Sequence, residues 1–359
     1  MVTPDAPLPP DAPPVGRPVL ADMTTLRVGG PARAVVAATT SDELVAAVTQ
    51  ADAAGEALLL VGGGSNLLVA DAGFPGAVVR IGTRGIEVQP GDAGRIRVRA
   101  AAGEPWESFV ATAVGSGWSG VEALSGIPGS TGATPIQNVG AYGAEVAQVI
   151  GSLEVLDRRT GAVSTMDPEQ AGFGYRSSAL KRTPGRWVVL SVTFDLAIDA
   201  RSAPIRYAEL AAVLGVQVGD RPPADAVRQA VLELRRSKGM VLDPADHDTW
   251  SAGSFFTNPI LTPAQAQALP EEAPRFGQPD GSVKTSAAWL ISHSGFPRGF
   301  AVRPGAPASL STKHSLALTN RGGATAQDLL ELARAVRAGV AERFGIVLEN
   351  EPVLVGCAL

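Results

Sequence analysis

Leu58-Leu59-Leu60-Val61 runs directly into Gly62-Gly63-Gly64-Ser65-Asn66 and then into Leu67-Leu68-Val69. The four apolar residues read as a short buried strand. Three consecutive glycines after such a strand let backbone amides approach a diphosphate without side-chain clash, and Ser65 and Asn66 can add hydrogen bonds. An ordinary tight turn is the alternative reading of the glycines alone. Upstream, a strand-like stretch covers Arg33 to Ala37. Thr40 and Glu43 have the spacing of a capping box before an Ala-rich run, predicting a helix to about Ala54 that stops at Gly55. A further strand is expected from Ala77 to Ile81, which makes a β-α-β-loop-β unit. The glycines lack the G-x-G-x-x-G spacing of a Rossmann fingerprint, and no Gly-Lys-Ser/Thr follows to make a P-loop.

A second glycine-rich stretch shifts the balance towards a ligand. Gly126-Ile127-Pro128-Gly129-Ser130 continues through Thr131-Gly132-Ala133-Thr134-Pro135 to Ile136-Gln137-Asn138-Val139-Gly140-Ala141-Tyr142-Gly143. Two separated loops of this kind suggest a long ligand cradled from both sides, which fits a dinucleotide better than a mononucleotide. Around them, strands are expected at Ile96–Ala100, Ser152–Asp157 and Trp187–Asp195, with a helix from Trp106 to Val114. Towards the C-terminus, Val227, Val231 and Leu234 share one face of a helix over Ala224–Arg236. A last helix is capped by Thr325, carries the stripe Leu329, Ala333, Val336 and Val340, and ends at Gly345. A strand at Ile346–Leu348 is expected after it. The unlike halves favour α+β over a doubly wound sheet.

The 359-residue chain is too long for one ordinary core. It is 45% hydrophobic and 18% charged, a globular composition with a net charge of −5. That charge does not suit a nucleic-acid binder, so an anionic ligand would need a local basic pocket. One cysteine, Cys357, permits no internal disulfide, and His247, His293 and His314 are too scattered for a zinc site; no metal is expected. Residues 1–20 hold seven prolines and no signal-peptide pattern, and no apolar run is long enough to span a bilayer, so a cytoplasmic protein with an extended tail is expected.

The motifs in combination resemble the UDP-N-acetylenolpyruvoylglucosamine reductase family. The resemblance rests on Leu26-Arg27-Val28-Gly29-Gly30, the two glycine-rich stretches, Gly174-Tyr175-Arg176-Ser177-Ser178 and Gly253-Ser254-Phe255-Phe256-Thr257-Asn258-Pro259. It continues through Lys284, Ala288-Trp289-Leu290-Ile291 and Glu351, from about residue 22 to 356. The fold this implies is an FAD-binding domain of the vanillyl-alcohol-oxidase (PCMH) type in two subdomains, plus a C-terminal α+β substrate-binding domain. The expected division is a tail at 1–21, FAD-binding subdomains at 22–90 and 91–220, and a substrate domain at 221–359. The reaction it implies is reduction of UDP-N-acetylglucosamine enolpyruvate to UDP-N-acetylmuramate by NADPH through FAD. A monomer is expected.

The resemblance implies Arg176, Ser254 and Glu351 as the catalytic set. Gly62, Gly63, Gly64, Ser65, Asn66, Gly126, Pro128, Gly129, Ser130, Asn138, Gly140 and Ala141 would hold the cofactor. Tyr175, Tyr207, Lys238, Asn258 and Lys284 would contact substrate, with Tyr207 matching the subtype that has an extra tyrosine loop. A guanidinium gives a carboxylate a fixed, permanently charged fork. A serine hydroxyl is a weak acid, so protonation by Ser254 must rely on geometry. Singly, each residue has a plainer reading: Arg176 as a surface charge, Ser254 in a turn, Glu351 as an edge-strand charge. Arg235 and Arg236 read as charges at a helix end, and Phe255, Phe256 and Trp289 as core. Thr24, Pro352 and the pair Lys313-His314 depart from the family pattern, the last leaving a substrate contact by His314 open. No histidine or cysteine lies between Asp22 and Asp220, so the flavin is expected to be non-covalent. Another FAD-dependent oxidase or dehydrogenase on the same scaffold, and a non-catalytic nucleotide-binding protein, are the competing readings.

Overall fold

The computed structural model describes residues 18–92 and 94–359. The expected proline-rich tail therefore lies, up to residue 17, outside the described residues. From Val19 the chain is already tied down: Val19 bridges Pro31, and Leu20, at the start of the 3-10 turn Leu20–Met23, is 1% exposed.

The first layer is parallel. Strand β1 (Ala32–Ala38) leads to helix α1 (Ser41–Ala53), strand β2 (Leu58–Val61), strand β3 (Leu67–Val69) and strand β4 (Phe74–Ile81), in sheet order β1-β4-β2. The capping box forms as the spacing predicts: the Thr40 side chain accepts from the Glu43 amide, and the Glu43 carboxylate accepts from the Thr40 amide. Leu44 and Val48 on the inner face of α1 pack with Val79 of β4. β3 leaves this sheet. It pairs in parallel with the C-terminal strand Val353–Val355, so the loop after β2 carries the chain to a strand almost three hundred residues away in sequence.

The second layer is antiparallel. It is built from β5 (Ile86–Pro90), β6 (Arg95–Ala101), β7 (Trp118–Ser119), and, after the two-residue pair β8 (Gly140–Ala141) and β9 (Ala144–Glu145), from β10 (Ile150–Asp157), β11 (Ala162–Met166) and β12 (Trp187–Ile198). The order is β11-β10-β12-β6-β5, with β7 on β12. Helix α2 (Trp106–Gly115) covers one face. Its Trp106 and Phe109 rings meet Phe194 of β12 at 5.8 and 4.6 Å between centroids, contacts worth about 1 kcal/mol each beyond their area. β5, counted with the first region in sequence, is hydrogen-bonded to β6 of this sheet.

The short helices α3 (Pro168–Ala171) and α4 (Ala179–Arg182) flank Arg176, and α5 (Ala208–Leu214) packs on α6 (Ala224–Ser237) through Leu210, Val227 and Val231. The rest of the chain has its own core. Helix Ala326–Phe344 packs Leu329, Ala333, Val336 and Val340 with Leu310, Leu318, Phe255 and Phe256. Phe255 and Phe256 are core residues, as expected. The strand expected at Ile346–Leu348 does not form. Ile346 and Leu348 are buried, which gives the segment its apolar pattern, but the ladder forms later, at Val353–Val355.

Candidate active site

The two glycine-rich loops were expected on opposite sides of a ligand; instead they touch and form one continuous wall. A Cβ at Gly63 would lie 2.6 Å from the Gly129 Cα, and one at Gly129 would lie 2.6 Å from the Ser65 Oγ. The Ser65 hydroxyl donates to the Pro128 carbonyl at 3.0 Å. Ser130 is buried and crowds Gly62. The backbones at Gly63 and Gly129 approach this closely because neither residue carries a side chain. Beside the wall lies a cleft of about 490 Å³ lined by Gly62 and Gly63, by Thr24, Arg27 and Arg80, and by Trp250. The Arg27 guanidinium sits 3.8 Å over the Trp250 ring, and the buried Trp250 indole N–H has no hydrogen-bond partner among the described residues. Bare backbone, two guanidiniums and an unsatisfied donor fit the phosphates and polar edges of a dinucleotide such as FAD.

Gly126, Asn138 and Ala141 stand apart from that wall. Gly126, in the left-handed region at φ +71°, faces Leu232 and Arg235 of α6. Asn138 is 1% exposed, and its amide is committed to the protein: it donates to Glu145 and Gly174 and accepts from the Ala147 amide. Ala141 pairs with Ala144 in the β8–β9 turn.

The carbonyls of this segment hold Arg176. Its guanidinium donates to Gly140 O at 2.7 Å and to Asn138 O at 3.3 Å. Its Nε lies 3.1 Å from Glu351 Oε1, in a pair with 21% and 14% of the side chains exposed. Arg176 has φ 49°, a strained value for a residue with a side chain, and its carbonyl accepts from Lys181 Nζ at 3.0 Å. Burial raises the Glu351 carboxyl above the usual carboxylate range, while Arg176 and Lys181 oppose the rise. Gln137 Nε2 reaches the same Glu351 oxygen at 3.3 Å.

Ser254 joins this cluster through the backbone. The Glu351 amide donates to Phe255 O at 2.8 Å, the Thr257 amide to Glu349 O at 3.0 Å, and Phe256 bridges Asn350. Residues 255–257 and 349–351 thus run side by side. The half-buried Ser254 is delivered next to Glu351 on a segment anchored by two fully buried rings. Tyr175 has Lys284 Nζ 4.6 Å over its ring; burial raises its phenol, with Arg176 opposing the rise.

Lys238 and Tyr207 gather at a second cluster. Tyr207, 44% exposed at the start of α5, meets Tyr142 edge-on at 5.7 Å. Lys238 Nζ lies 5.6 Å from the Tyr142 ring and 2.7 Å from Glu209 Oε2. Burial pushes the Tyr142 phenol up to about 12, with Arg235 opposing. Arg235 is not a solvated helix-end charge: it is 7% exposed, donates to Met240 O at 2.9 Å, and burial pushes it down to about 10. His314 lies here as well. Burial, aided by Lys238, Arg298 and Arg235, pushes it down to about 4, and its buried Nε2 has no hydrogen-bond partner among the described residues.

Residues 32–167 match the FAD binding domain family, and residues 243–355 match the C-terminal domain of UDP-N-acetylenolpyruvoylglucosamine reductase. A UDP-N-acetylenolpyruvoylglucosamine reductase of Cutibacterium acnes is 55% identical over 340 residues, covering 95% of this chain and 90% of its own. The chain belongs to the UDP-N-acetylenolpyruvoylglucosamine reductase family. One from Salinispora arenicola is also 55% identical, covering 95% of each chain. The crystal structure of the family's enzyme from Thermus caldophilus superposes with a TM-score of 0.63 at 30% identity, over 94% of this chain and 98% of that one. The family's fold, an FAD-binding domain of the vanillyl-alcohol-oxidase type followed by the C-terminal domain, is the one expected from the motifs.

Sequence reasoning gave no role to Gln137, Lys181, Tyr142, Arg27, Arg80 or Trp250. Tyr142 and Gln137 stood inside a quoted motif, which was the available signal. A lone Lys181, Arg80 or Trp250 carries none until the fold places it.

Proposed function

We propose that this chain reduces UDP-N-acetylglucosamine enolpyruvate to UDP-N-acetylmuramate with NADPH, using non-covalently held FAD. The observation that carries the reading is the Arg176–Glu351 pair, 3.1 Å apart, with the Ser254 segment hydrogen-bonded alongside. Held at the glycine-rich wall, FAD would supply hydride transfer from NADPH to the terminal CH2 carbon of the substrate. The chain's own residues handle the charge that results.

Negative charge develops on the carbon next to the substrate carboxylate and spreads into it. Arg176, fixed by two carbonyls and Glu351, meets that charge without reorganising. Burial raises the Glu351 carboxyl, with Arg176 and Lys181 opposing, which favours the protonated form that can donate a hydrogen bond to the same carboxylate. Ser254 gives its hydroxyl proton to the carbon and recovers one from solvent. Tyr175, Asn258 and Lys284 bind the substrate near this centre. Tyr207, on the loop that marks the tyrosine-loop subtype, and Lys238, at the C-terminal end of α6, bind its diphosphate end, with His314 beside them. Gly62, Gly63, Gly64, Ser65 and Asn66, with Pro128, Gly129 and Ser130, form the cofactor wall, and Gly140 holds Arg176 beside it. Gly126, Asn138 and Ala141 shape the loop behind it.

Among the described residues no helix is long and apolar enough to cross a membrane. We place the enzyme in the cytoplasm, as a monomer, supplying peptidoglycan precursors and so acting in cell shape and division. Because no histidine or cysteine lies between Asp22 and Asp220, the FAD-binding region offers no histidyl or cysteinyl attachment point for the flavin.

The test is anaerobic stopped-flow absorbance. NADPH is expected to bleach the flavin, and the enolpyruvyl substrate to restore its colour without oxygen. Recolouring by oxygen alone would overturn the reading in favour of an oxidase.

A further inference from the structure

Glu351 Oε1 accepts from Gln137 Nε2 at 3.3 Å and lies 3.1 Å from Arg176 Nε in an ion pair. The Gln137 amide is itself held from behind. Its Oε1 accepts from Asn66 Nδ2 at 3.0 Å, so its NH2 is the end that faces Glu351. Asn66 also donates to the Glu351 carbonyl at 3.4 Å and accepts the Val353 amide at 2.9 Å. A chain of side-chain amides therefore runs from the glycine-rich loop to the buried carboxyl.

We propose that Gln137 is a positioning residue for the reduction: its NH2 donates to Glu351 Oε1 beside the Arg176 cation, leaving Oε2 as the oxygen that carries the proton and meets the substrate carboxylate. A hydroxyl on Oε1 would point at the Gln137 N–H, whereas one on Oε2 would not. Three other groups bear on Glu351. Arg176 and Lys181 favour its charged form, and it acts in turn on the Tyr175 phenol. Gln137 is the uncharged member of this set. It fixes which oxygen is which while adding no charge of its own.

The inference rests on the reductase reading, and the experiment separates the two. Gln137→Leu keeps the bulk and removes the amide. In the purified holoenzyme, flavin reduction by NADPH is expected to keep its rate. Reoxidation by the enolpyruvyl substrate is expected to fall about tenfold. The alkaline limb of its pH profile moves to higher pH, because a donor to the carboxylate form has been lost. In a Glu351→Gln background the same substitution is expected to add less than about twofold, because the two act as one unit. Flavin content verifies folding, and Gln137→Met serves as the second variant. A slowed reoxidation with an unmoved alkaline limb, or no slowing at all, overturns the proposal. If the unsubstituted enzyme is not reoxidised by substrate, the reductase reading itself has failed and this inference falls with it.

Discussion

The glycine-rich wall and the Arg176–Glu351 cluster meet at Asn66 and are built by opposite means. At the wall, Gly63 and Gly129 come together because side chains are missing. At the cluster, a guanidinium, a carboxyl and two amides are locked together because side chains are present and every donor is aimed. The first binds through bare backbone, so its tolerance for any added atom is low. The second acts through charge, so its tolerance for a changed group is low even where shape is kept. In this account the first region decides whether a flavin is held, and the second decides what the flavin can reduce.

Substitutions can break that division, and the largest effect belongs to the wall. Gly64 has φ +62° and faces the Met23 carbonyl, so Gly64→Val combines backbone strain with a backbone clash. The variant is expected to purify without flavin colour; a normal visible spectrum would count against the wall as the cofactor site. Next comes Arg176→Met, which removes the charge and keeps the length. Substrate-driven reoxidation is expected to fall about 100- to 1000-fold, with flavin content unchanged. Loss of flavin in this variant would blur the two regions into one.

A pH experiment sharpens the comparison at the second cluster. His314 has its pKa pushed from 6.5 to about 4, so the unfolded chain binds the extra proton between those values. Its contribution to stability is present above about pH 6.5 and is lost as the pH falls towards 4. His314→Gln is expected to flatten the melting temperature over that window, measured by calorimetry. An unchanged slope would mean that the ring is solvated. The smallest effect is a control outside both regions. Thr40→Ala removes the α1 cap and is expected to cost about 1 kcal/mol in denaturant unfolding, leaving both half-reactions unchanged.

Local signals were legible and long-range pairings were not. Thr40 with Glu43 announced α1, and Thr325 with Gly345 bounded the last long helix, because caps act within one turn. The partner of β3 could not be read: Leu67–Val69 looks like a continuation of the first sheet, yet its neighbour is Val353–Val355. That pairing is what brings Glu351 beside Asn66. The apolar Ile346–Leu348 was mistaken for a strand because burial without a ladder gives the same pattern. Arg235 looked like a solvated helix end, since sequence does not reveal which face of α6 the Gly126 turn would cover. The segments that carry Arg176, Ser254 and Glu351 were legible through their motifs. The amide chain behind them was not, since the orientation of Gln137 depends on Asn66, seventy-one positions away.

The most direct measurement is the pair of half-reaction rates in Ser254→Ala, followed anaerobically by flavin absorbance. The account predicts that NADPH reduces the flavin at the rate of the unsubstituted enzyme while reoxidation by the enolpyruvyl substrate slows by about 100-fold or more. Equal slowing of both steps would make Ser254 a structural residue and contradict the division between the wall that holds the flavin and the cluster that completes the reduction.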